Sequence, residues 1–227
     1  MAAEAKAYRG MGMEGGVARW YERTTRKDMP EFQALAARIA ALVPAHGAIL
    51  EVAPGPGFLS IELAKRGFEV RAVDVSRTFV DLARHNAEAA KVRARFEVGD
   101  AADLPIPDAS QDFVVCRAAF KNFADPIRAL REMNRVLRPG GSVLLIDLRR
   151  EVSMAEIRRY VDGLGVSWLN RLFMMVVFRT MLIKRAYPID DIRRMTAEAG
   201  WSQPRMELSA LGFEAWTTRV SSSGSFR

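Results

Sequence analysis

The order of apolar and polar positions between residues 30 and 148 predicts strands that alternate with helices. Five short runs, rich in valine, isoleucine and phenylalanine, have the length of buried strands. The segments between them place apolar residues three and four positions apart, as Leu35, Ile39 and Leu42 do in the predicted helix 31–43. The predicted strands are 49–53, 68–73, 93–98, 112–116 and 142–148. This alternation predicts an α/β protein with a mostly parallel sheet and helices on both faces.

The rest of the chain predicts a helical insert, a closing hairpin and two flexible ends. The insert covers about 152–186, and the alternating segment 206–217 predicts an antiparallel hairpin. Residues 1–29 are expected to form a mobile N-terminal arm with a short helix. The serine-rich residues 221–227 are expected to form a flexible tail. We therefore expect one domain over residues 30–220.

Composition narrows the class of protein. The 227 residues are 49% hydrophobic and 27% charged, as in an ordinary globular domain. The single cysteine, Cys116, excludes an internal disulfide framework and a multi-cysteine metal site, and we expect no metal. With no leader pattern and no uncharged run near the roughly 20 residues that a bilayer requires, a cytoplasmic location is predicted. The net charge of +7 is spread along the chain, which makes a nucleic-acid partner unlikely.

A small-residue turn follows the first predicted strand and leads directly into a helix. Gly55 and Gly57 permit backbone angles and a close approach that a side chain would block, so a ligand can lie against this turn. Glu51 near the strand end provides a carboxylate that accepts hydrogen bonds. Asp74 closes the second strand 17 residues after Gly57, where an acidic residue of a βαβ unit binds ribose hydroxyls.

The stretch from Glu51 to Gly57 resembles motif I of the class I S-adenosylmethionine (SAM) methyltransferases, an acidic residue followed by three alternating glycines, with Ala53 in place of the first. The resemblance implies a Rossmann-like, seven-stranded sheet with an antiparallel last strand, and SAM as the cofactor, released as S-adenosylhomocysteine. Tyr21 either anchors the arm or closes over the methionine moiety. The residues expected at the cofactor are Glu51, Ala53, Gly55, Gly57, Asp74, Val75, Asp100, Ala101, Arg117 and Tyr21.

A more specific resemblance covers residues 119–141. Lys121 and Asn122 follow the fourth strand, and the helix after them ends in an Arg-Val-Leu-Arg-Pro-Gly-Gly sequence, as in the ubiquinone/menaquinone-biosynthesis C-methyltransferases. The resemblance implies that Lys121 and Asn122 are catalytic and that the acceptor is small and apolar or aromatic, like a quinone. That family has arginine at the first of these positions, and lysine keeps the charge without the planar fork. The alternative is that Lys121 is a solvated loop cation.

The insert contains an apolar segment with basic flanks, 168–185. We expect it to form a lid over the acceptor, with Trp168, Phe173, Met175 and Phe178 on its inner side. A homodimer interface and a helix lying on a membrane surface are the alternatives.

The predicted function is methyl transfer from SAM to a small molecule. A nucleic-acid methyltransferase and a SAM-binding protein without catalysis are the alternatives. An NAD-dependent oxidoreductase is less favoured, because Ser60 occupies the position of the third glycine of the dinucleotide fingerprint.

Overall fold

The computed structural model describes residues 8–10, 12–165 and 167–220. Its centre is one seven-stranded sheet with the order β3-β2-β1-β4-β5-β7-β6. The first five strands pair in parallel, and β7 is antiparallel to both β5 and β6. The strands are β1 Ala48–Val52, β2 Glu69–Asp74, β3 Ala94–Val98, β4 Gln111–Arg117, β5 Leu137–Leu148, β6 Arg205–Leu208 and β7 Gly212–Thr218. The predicted fold is confirmed.

Helices cover both faces of this sheet because the central strands are apolar on both sides. In β1, Ile49 contacts the core under α2 and α3, whereas Leu50 belongs to the core under α5 and α9. The helices are α1 Gly15–Thr25, α2 Met29–Ala40, α3 Phe58–Ala64, α4 Arg77–Ala89, α5 Pro126–Val136, α6 Met154–Gly163, α7 Trp168–Val177, α8 Ile183–Arg185 and α9 Ile189–Glu198.

The strand order reverses between β1 and β4. β2 and β3 lie on one side of this point, and β5, β7 and β6 on the other. In open α/β sheets, the loops at the carboxyl ends of the strands diverge at such a switch point and leave a crevice for ligands. The turn after β1 and the loop after β4 therefore face the same crevice.

β5 begins five residues earlier than the sequence predicts. Leu137 pairs with Gln111 of β4, and the register then shifts before Ser142 pairs with Phe113. A Cβ atom on Gly141 would lie 3.0 Å from the carbonyl oxygen of Asp112, so glycine is needed for this close approach of the two strands. The Pro-Gly-Gly sequence thus lies inside an irregular strand instead of ending a helix before one.

The insert packs as a helical layer with a small core of its own. Ile157 and Val161 of α6 pack with Ile183 and Leu211, and a Ser153/Glu156 capping box begins α6. A π-helical segment, Phe178–Leu182, joins α7 to α8. In the three described ranges, no helix has both the length and the apolar character needed to span a membrane. The predicted tail 221–227 lies outside the described residues.

Candidate cofactor and acceptor site

In the turn after β1, every second residue has a left-handed backbone conformation. Ala53, Gly55 and Gly57 have φ values of 58°, 55° and 80°. Gly57 serves packing, since a Cβ atom there would lie 2.8 Å from that of Ala83. The space beside Gly55 is open, because a Cβ atom on this residue would have the Tyr21 ring, at 3.9 Å, as its nearest neighbour. Gly55 is therefore the point in this turn where a ligand can approach the backbone most closely.

Two acidic side chains lie buried beside this turn. Asp74 accepts hydrogen bonds from the backbone amides of Gly55, at 3.0 Å, and Ser76, at 2.9 Å. Glu51 accepts a 2.5 Å hydrogen bond from the hydroxyl of Ser60. The two acids are only 6% and 4% exposed. Burial raises the pKa of Asp74 to about 6 and that of Glu51 to about 7, although their hydrogen bonds oppose this rise.

Ser60 has a role that its sequence position did not suggest. It is fully buried in α3 and donates to Glu51, which fixes the orientation of that carboxyl group. The residue that replaces the third glycine of the dinucleotide fingerprint thus holds one of the two acids at the site.

The loop after β3 brings a third acid to the same edge. The carboxylate of Asp100 accepts from the amide of Ala102 at 2.9 Å, and its carbonyl oxygen accepts from the amide of Asp103 at 3.0 Å. This turn leaves Asp100 and Ala101 partly exposed. Val75, in the loop after β2, is exposed. β2 and β3 are neighbours, so these loops form adjoining parts of one rim.

Tyr21 and Arg117 contact the site from its sides. The Tyr21 ring meets Phe79 of α4 edge-on, with a centroid separation of 5.7 Å, so this residue both anchors α1 and faces Gly55. Arg117 is turned toward α2: it pairs with Glu31 at 3.0 Å and lies 4.6 Å above the ring of Phe32. Arg117 thus has partners on α2 within the cofactor-free protein.

Lys121 is buried in an ion pair and is not a solvated loop cation. Its side chain is 7% exposed, and its ammonium donates to the carboxylate of Asp147 at 2.9 Å and to the carbonyl oxygen of Ala118 at 2.7 Å. The Asp147 carboxylate also accepts from the amides of Lys121 and Leu148. An ammonium has three protons, so one remains for a ligand.

Asn122 lies next to this pair with an unused acceptor. Its side chain is buried, and the oxygen Oδ1 has no hydrogen-bond partner among the described residues. Buried polar atoms are normally paired, so an orphan at the crevice marks a place for a ligand donor. Phe120, Phe123 and Tyr187 form an aromatic cluster with neighbouring centroids 5.7 Å apart, in which Phe120 and Phe123 belong to the core and Tyr187 is partly exposed.

The four residues expected on the lid do not share one side. Trp168 and Phe173 are 73% and 66% exposed on the outer face of α7. Met175 and Phe178 face inward and pack against the core of the insert, where Phe178 meets the ring of Tyr160 edge-on.

Sequence reasoning missed Asp147. A signal existed, since Asp147 interrupts the apolar run 143–148 at the carboxyl end of a predicted strand. Its partner is remote in sequence, because β4 and β5 bring residues 121 and 147 together only through strand pairing.

Comparison with known proteins identifies the family. A model of the methyltransferase domain matches residues 50–145. A demethylmenaquinone methyltransferase of Deinococcus radiodurans is 46% identical over 114 residues, covering 49% of this chain and 47% of that protein. A ubiquinone biosynthesis O-methyltransferase of Xanthomonas axonopodis pv. citri is 33% identical over 186 residues, covering 80% of this chain and 72% of that protein. The chain belongs to the class I SAM-dependent methyltransferases.

The matched part spans about half the length of relatives such as the Deinococcus methyltransferase. Among solved structures, a candidate SAM-dependent methyltransferase from Methanococcus maripaludis aligns over 98% of this chain and 99% of its own, with a TM-score of 0.70 and 22% identity. At 22% identity, this similarity supports the fold alone.

The side chains at the crevice of this methyltransferase fit its cofactor. SAM carries ribose hydroxyls and an ammonium group, which are hydrogen-bond donors, and the crevice offers the acceptors Asp74, Glu51 and Asp100. Gly55 leaves its backbone open on the ligand side. The described residues contain no group of three histidine, cysteine, aspartate or glutamate side chains placed to hold a metal ion.

Proposed function

We propose that this methyltransferase methylates a small aromatic acceptor of the quinol type. The observation that carries the proposal is the buried Lys121–Asp147 pair, with one ammonium proton unused, beside the unpaired oxygen of Asn122. An aromatic acceptor with a hydroxyl group would complete both, and its ring would lie against the partly exposed ring of Tyr187. The relatives named for demethylmenaquinone and ubiquinone support this acceptor class.

At the cofactor, Asp74 and Glu51 are proposed to accept hydrogen bonds from SAM, with Gly55 beneath it and Asp100 at the adenine end. SAM supplies a methyl group on a positively charged sulfur that leaves readily. The protein therefore has mainly to align the acceptor and to exclude water. Tyr21, Val75, Ala101 and the two carboxylates would form the enclosing walls, with Arg117 held at the side by α2.

At the acceptor, Lys121 is proposed to stabilise the hydroxyl oxygen as an anion once its proton has passed to water. Negative charge on that oxygen raises electron density on the ring carbons beside it, which favours methylation at carbon. After methyl transfer, the methylated ring carbon would lose its hydrogen as a proton to water while the oxygen takes a proton back, and the cofactor would leave as neutral S-adenosylhomocysteine. Asp147 holds the ammonium in place through a 2.9 Å contact, and Asn122 accepts a hydrogen bond from the acceptor hydroxyl before that group loses its proton, which orients the acceptor. Asp147 thus acts as a positioning residue.

The outer side of the insert is proposed to contact a membrane surface from which an apolar acceptor is collected, through Trp168 and Phe173. Met175 and Phe178 hold this helical layer together by packing on the core of the insert. Basic residues border the exposed face, among them Arg171, Arg179, Lys184 and Arg185, and they complement anionic lipid head groups. A cytoplasmic location remains a prediction.

The test is product formation from a defined acceptor. The protein is incubated anaerobically with methyl-labelled SAM and a reduced, short-chain demethylmenaquinol, and the products are analysed by mass spectrometry. We expect a labelled methyl group on a ring carbon. If calorimetry shows SAM binding but neither this acceptor nor a metabolite extract becomes labelled, the proposed transfer is wrong and a non-catalytic SAM-binding protein is favoured.

A further inference from the structure

A segment before α1, residues 8–10 and 12–14, is fixed at one end to the loop after β4. The amide of Arg9 donates to the carbonyl oxygen of Asn122 at 2.8 Å, and Tyr8 forms an antiparallel bridge with Phe123. The guanidinium of Arg9 donates to the carbonyl oxygen of Ala124 at 2.8 Å and to the hydroxyl of Tyr187 at 3.3 Å. We call this segment the strap.

The other end of the strap is fixed to the loop after β2. The hydroxyl of Ser76 donates to the carbonyl oxygen of Met13 at 2.6 Å. The carboxylate of Glu14 accepts from the amides of Arg77, at 3.0 Å, and Thr78, at 3.1 Å, which are the first amides of α4. An acidic side chain at a helix N-terminus is stabilised by the helix dipole as well as by these hydrogen bonds.

The path between these anchors crosses the cofactor crevice. β1 lies between β4 and β2 in the sheet, so a chain that joins the two loops passes above the turn after β1. Four residue steps separate Arg9 from Met13, which reach at most about 14 Å when fully extended. Neighbouring strands lie about 4.8 Å apart, so β4 and β2 are separated by roughly 10 Å, a distance that this segment can span.

Tyr8 is partly buried, and its ring packs against Gly10 of the strap. Burial raises the pKa of its phenol, and the charges of Asp74 and Asp147 raise it further. Asp74 and Glu51 stay buried although they stand at the mouth of the crevice. These observations together indicate that the strap covers the place where the cofactor binds.

We propose that the strap closes the cofactor crevice and gates the entry and exit of SAM and its product. Its anchors at Arg9 and Glu14 are exposed, and solvent-exposed contacts open locally at low cost. Release of the strap would uncover the crevice without unfolding the sheet. The inference concerns cofactor exchange and does not depend on which acceptor is methylated.

The test measures binding kinetics with S-adenosylhomocysteine, the unreactive product, in stopped-flow experiments that follow tryptophan fluorescence. The variant Arg9→Ala/Glu14→Ala removes the side-chain anchors at both ends of the strap. The control Arg93→Ala/Glu69→Ala removes the same charges from exposed positions at the opposite edge of the sheet. We expect association and dissociation rate constants to rise about tenfold in the variant only, as for a gate open roughly a tenth of the time.

Hydrogen exchange supplies a readout without any ligand. The Arg9 amide, which donates to Asn122, should exchange slowly in the wild type and in the control and at least several-fold faster in the variant. A second variant that lacks residues 1–14 should bind as fast as the double variant or faster, since α1 begins only at Gly15.

Three outcomes would overturn the gate. Association rates within twofold of the wild type, in a variant whose Arg9 amide exchanges faster, would show that the strap does not control entry. A folded truncated protein that binds no product would show that the strap is a required part of the site. A wild-type protein that binds no product in calorimetry would reject the cofactor site and the strap together, whereas loss of acceptor methylation alone would leave the gate standing.

Discussion

The Lys121 ammonium is held by a carboxylate on the neighbouring strand and a carbonyl oxygen in its own loop. Removing one member of a buried ion pair typically costs about 3–5 kcal/mol, because the other charge stays buried without compensation. Truncating Lys121 alone would therefore lower the stability of the protein as well as its turnover, and the two effects could not be separated. The Asp147 carboxylate accepts one backbone amide on each of its two oxygens, so asparagine would keep one of these hydrogen bonds and would leave no unpaired buried charge.

We predict that the double variant Lys121→Met/Asp147→Asn is folded but turns over at least about 10²-fold more slowly, the usual effect of losing an electrostatic group at a reaction centre. Calorimetry with S-adenosylhomocysteine should give the wild-type affinity. Lys121→Arg, which keeps the charge, should retain more activity than Lys121→Met. Wild-type turnover in the double variant would show that alignment alone drives the reaction.

Ala53 occupies a backbone conformation that favours glycine. Its φ of 58° places the Cβ atom of an L-residue close to the following carbonyl oxygen, at a cost of about 1–2 kcal/mol. Its amide donates to the carbonyl oxygen of Val73 at 2.8 Å, which holds the turn against β2. The family glycine at this position thus has a physical reason, and alanine is tolerated because the turn is fixed from both sides.

We predict that Ala53→Gly raises the free energy of unfolding by about 0.5–1 kcal/mol, because relief of the left-handed strain exceeds the extra chain entropy of glycine. Urea denaturation measures the change. Ala37→Gly, at an exposed position inside α2, is the matched control and should lower the same quantity by about 1 kcal/mol. Destabilisation by both substitutions would mean that Ala53 is not strained.

At the scale of elements, α7 is the helix that departs most from ordinary packing. Its large apolar side chains at positions 168, 169, 172, 173 and 176 are exposed along one side. The inner side is already satisfied by the core of the insert, so burial of that core does not account for this outer stripe. The exposed apolar side of α7 is typical of a surface that meets another apolar phase.

We predict that the protein binds vesicles of phosphatidylglycerol and phosphatidylcholine and that Trp168→Ser/Phe173→Ser lowers the partition coefficient at least about tenfold, since each buried aromatic contributes roughly 1.5–3 kcal/mol. Vesicle co-sedimentation measures the coefficient. The control Leu42→Ser/Leu208→Ser changes two other exposed apolar residues and should bind as the wild type does. The membrane assignment would be wrong if the wild type did not bind vesicles but eluted as a dimer, and if the Trp168→Ser/Phe173→Ser variant eluted as a monomer. The exposed side of α7 would then be an interface with a second copy of the chain.

At the scale of the whole molecule, the buried acids Glu51 and Asp74 make the protein less stable at neutral pH than in mild acid. Burial raises the pKa of Glu51 from 4.5 to about 7 and that of Asp74 from 3.8 to about 6. Between the unfolded and folded values, the folded state binds more protons, so the free energy of unfolding falls as pH rises. The effect begins near pH 4 and is complete above pH 7.

We predict that the cofactor-free protein has a higher free energy of unfolding at pH 5.5 than at pH 8, by about 1–3 kcal/mol, given about 1.4 kcal/mol per pKa unit. Chemical denaturation at both pH values gives the difference. Glu51→Gln should reduce the difference and stabilise the protein at pH 8, while weakening SAM. A stability that rises from pH 5.5 to pH 8 would show that these acids are solvated in the free protein.

The sequence predicted most residues of the candidate site, because much of the relevant information is local. Gly55 and Gly57 come just after an apolar strand, and Asp74 ends the next strand. Strand ends and turn residues can therefore be predicted from residues that are adjacent in the chain. Lys121 and Asn122 were found through a resemblance that spans one contiguous stretch. Their part in catalysis remains a prediction.

The sequence by itself determined the alternation of strands and helices, the small-residue turn after β1 and the acids at the strand ends, since each depends on residues a few positions apart. Only the tertiary structure decided that Lys121 pairs with Asp147, that the four apolar residues of the insert lie on two sides, and that the strap crosses the crevice. These contacts join residues 26 to 113 positions apart in the chain, as Lys121 with Asp147 and Arg9 with Asn122 do. Such pairs meet only when strand order and register are fixed by the packing of the whole sheet.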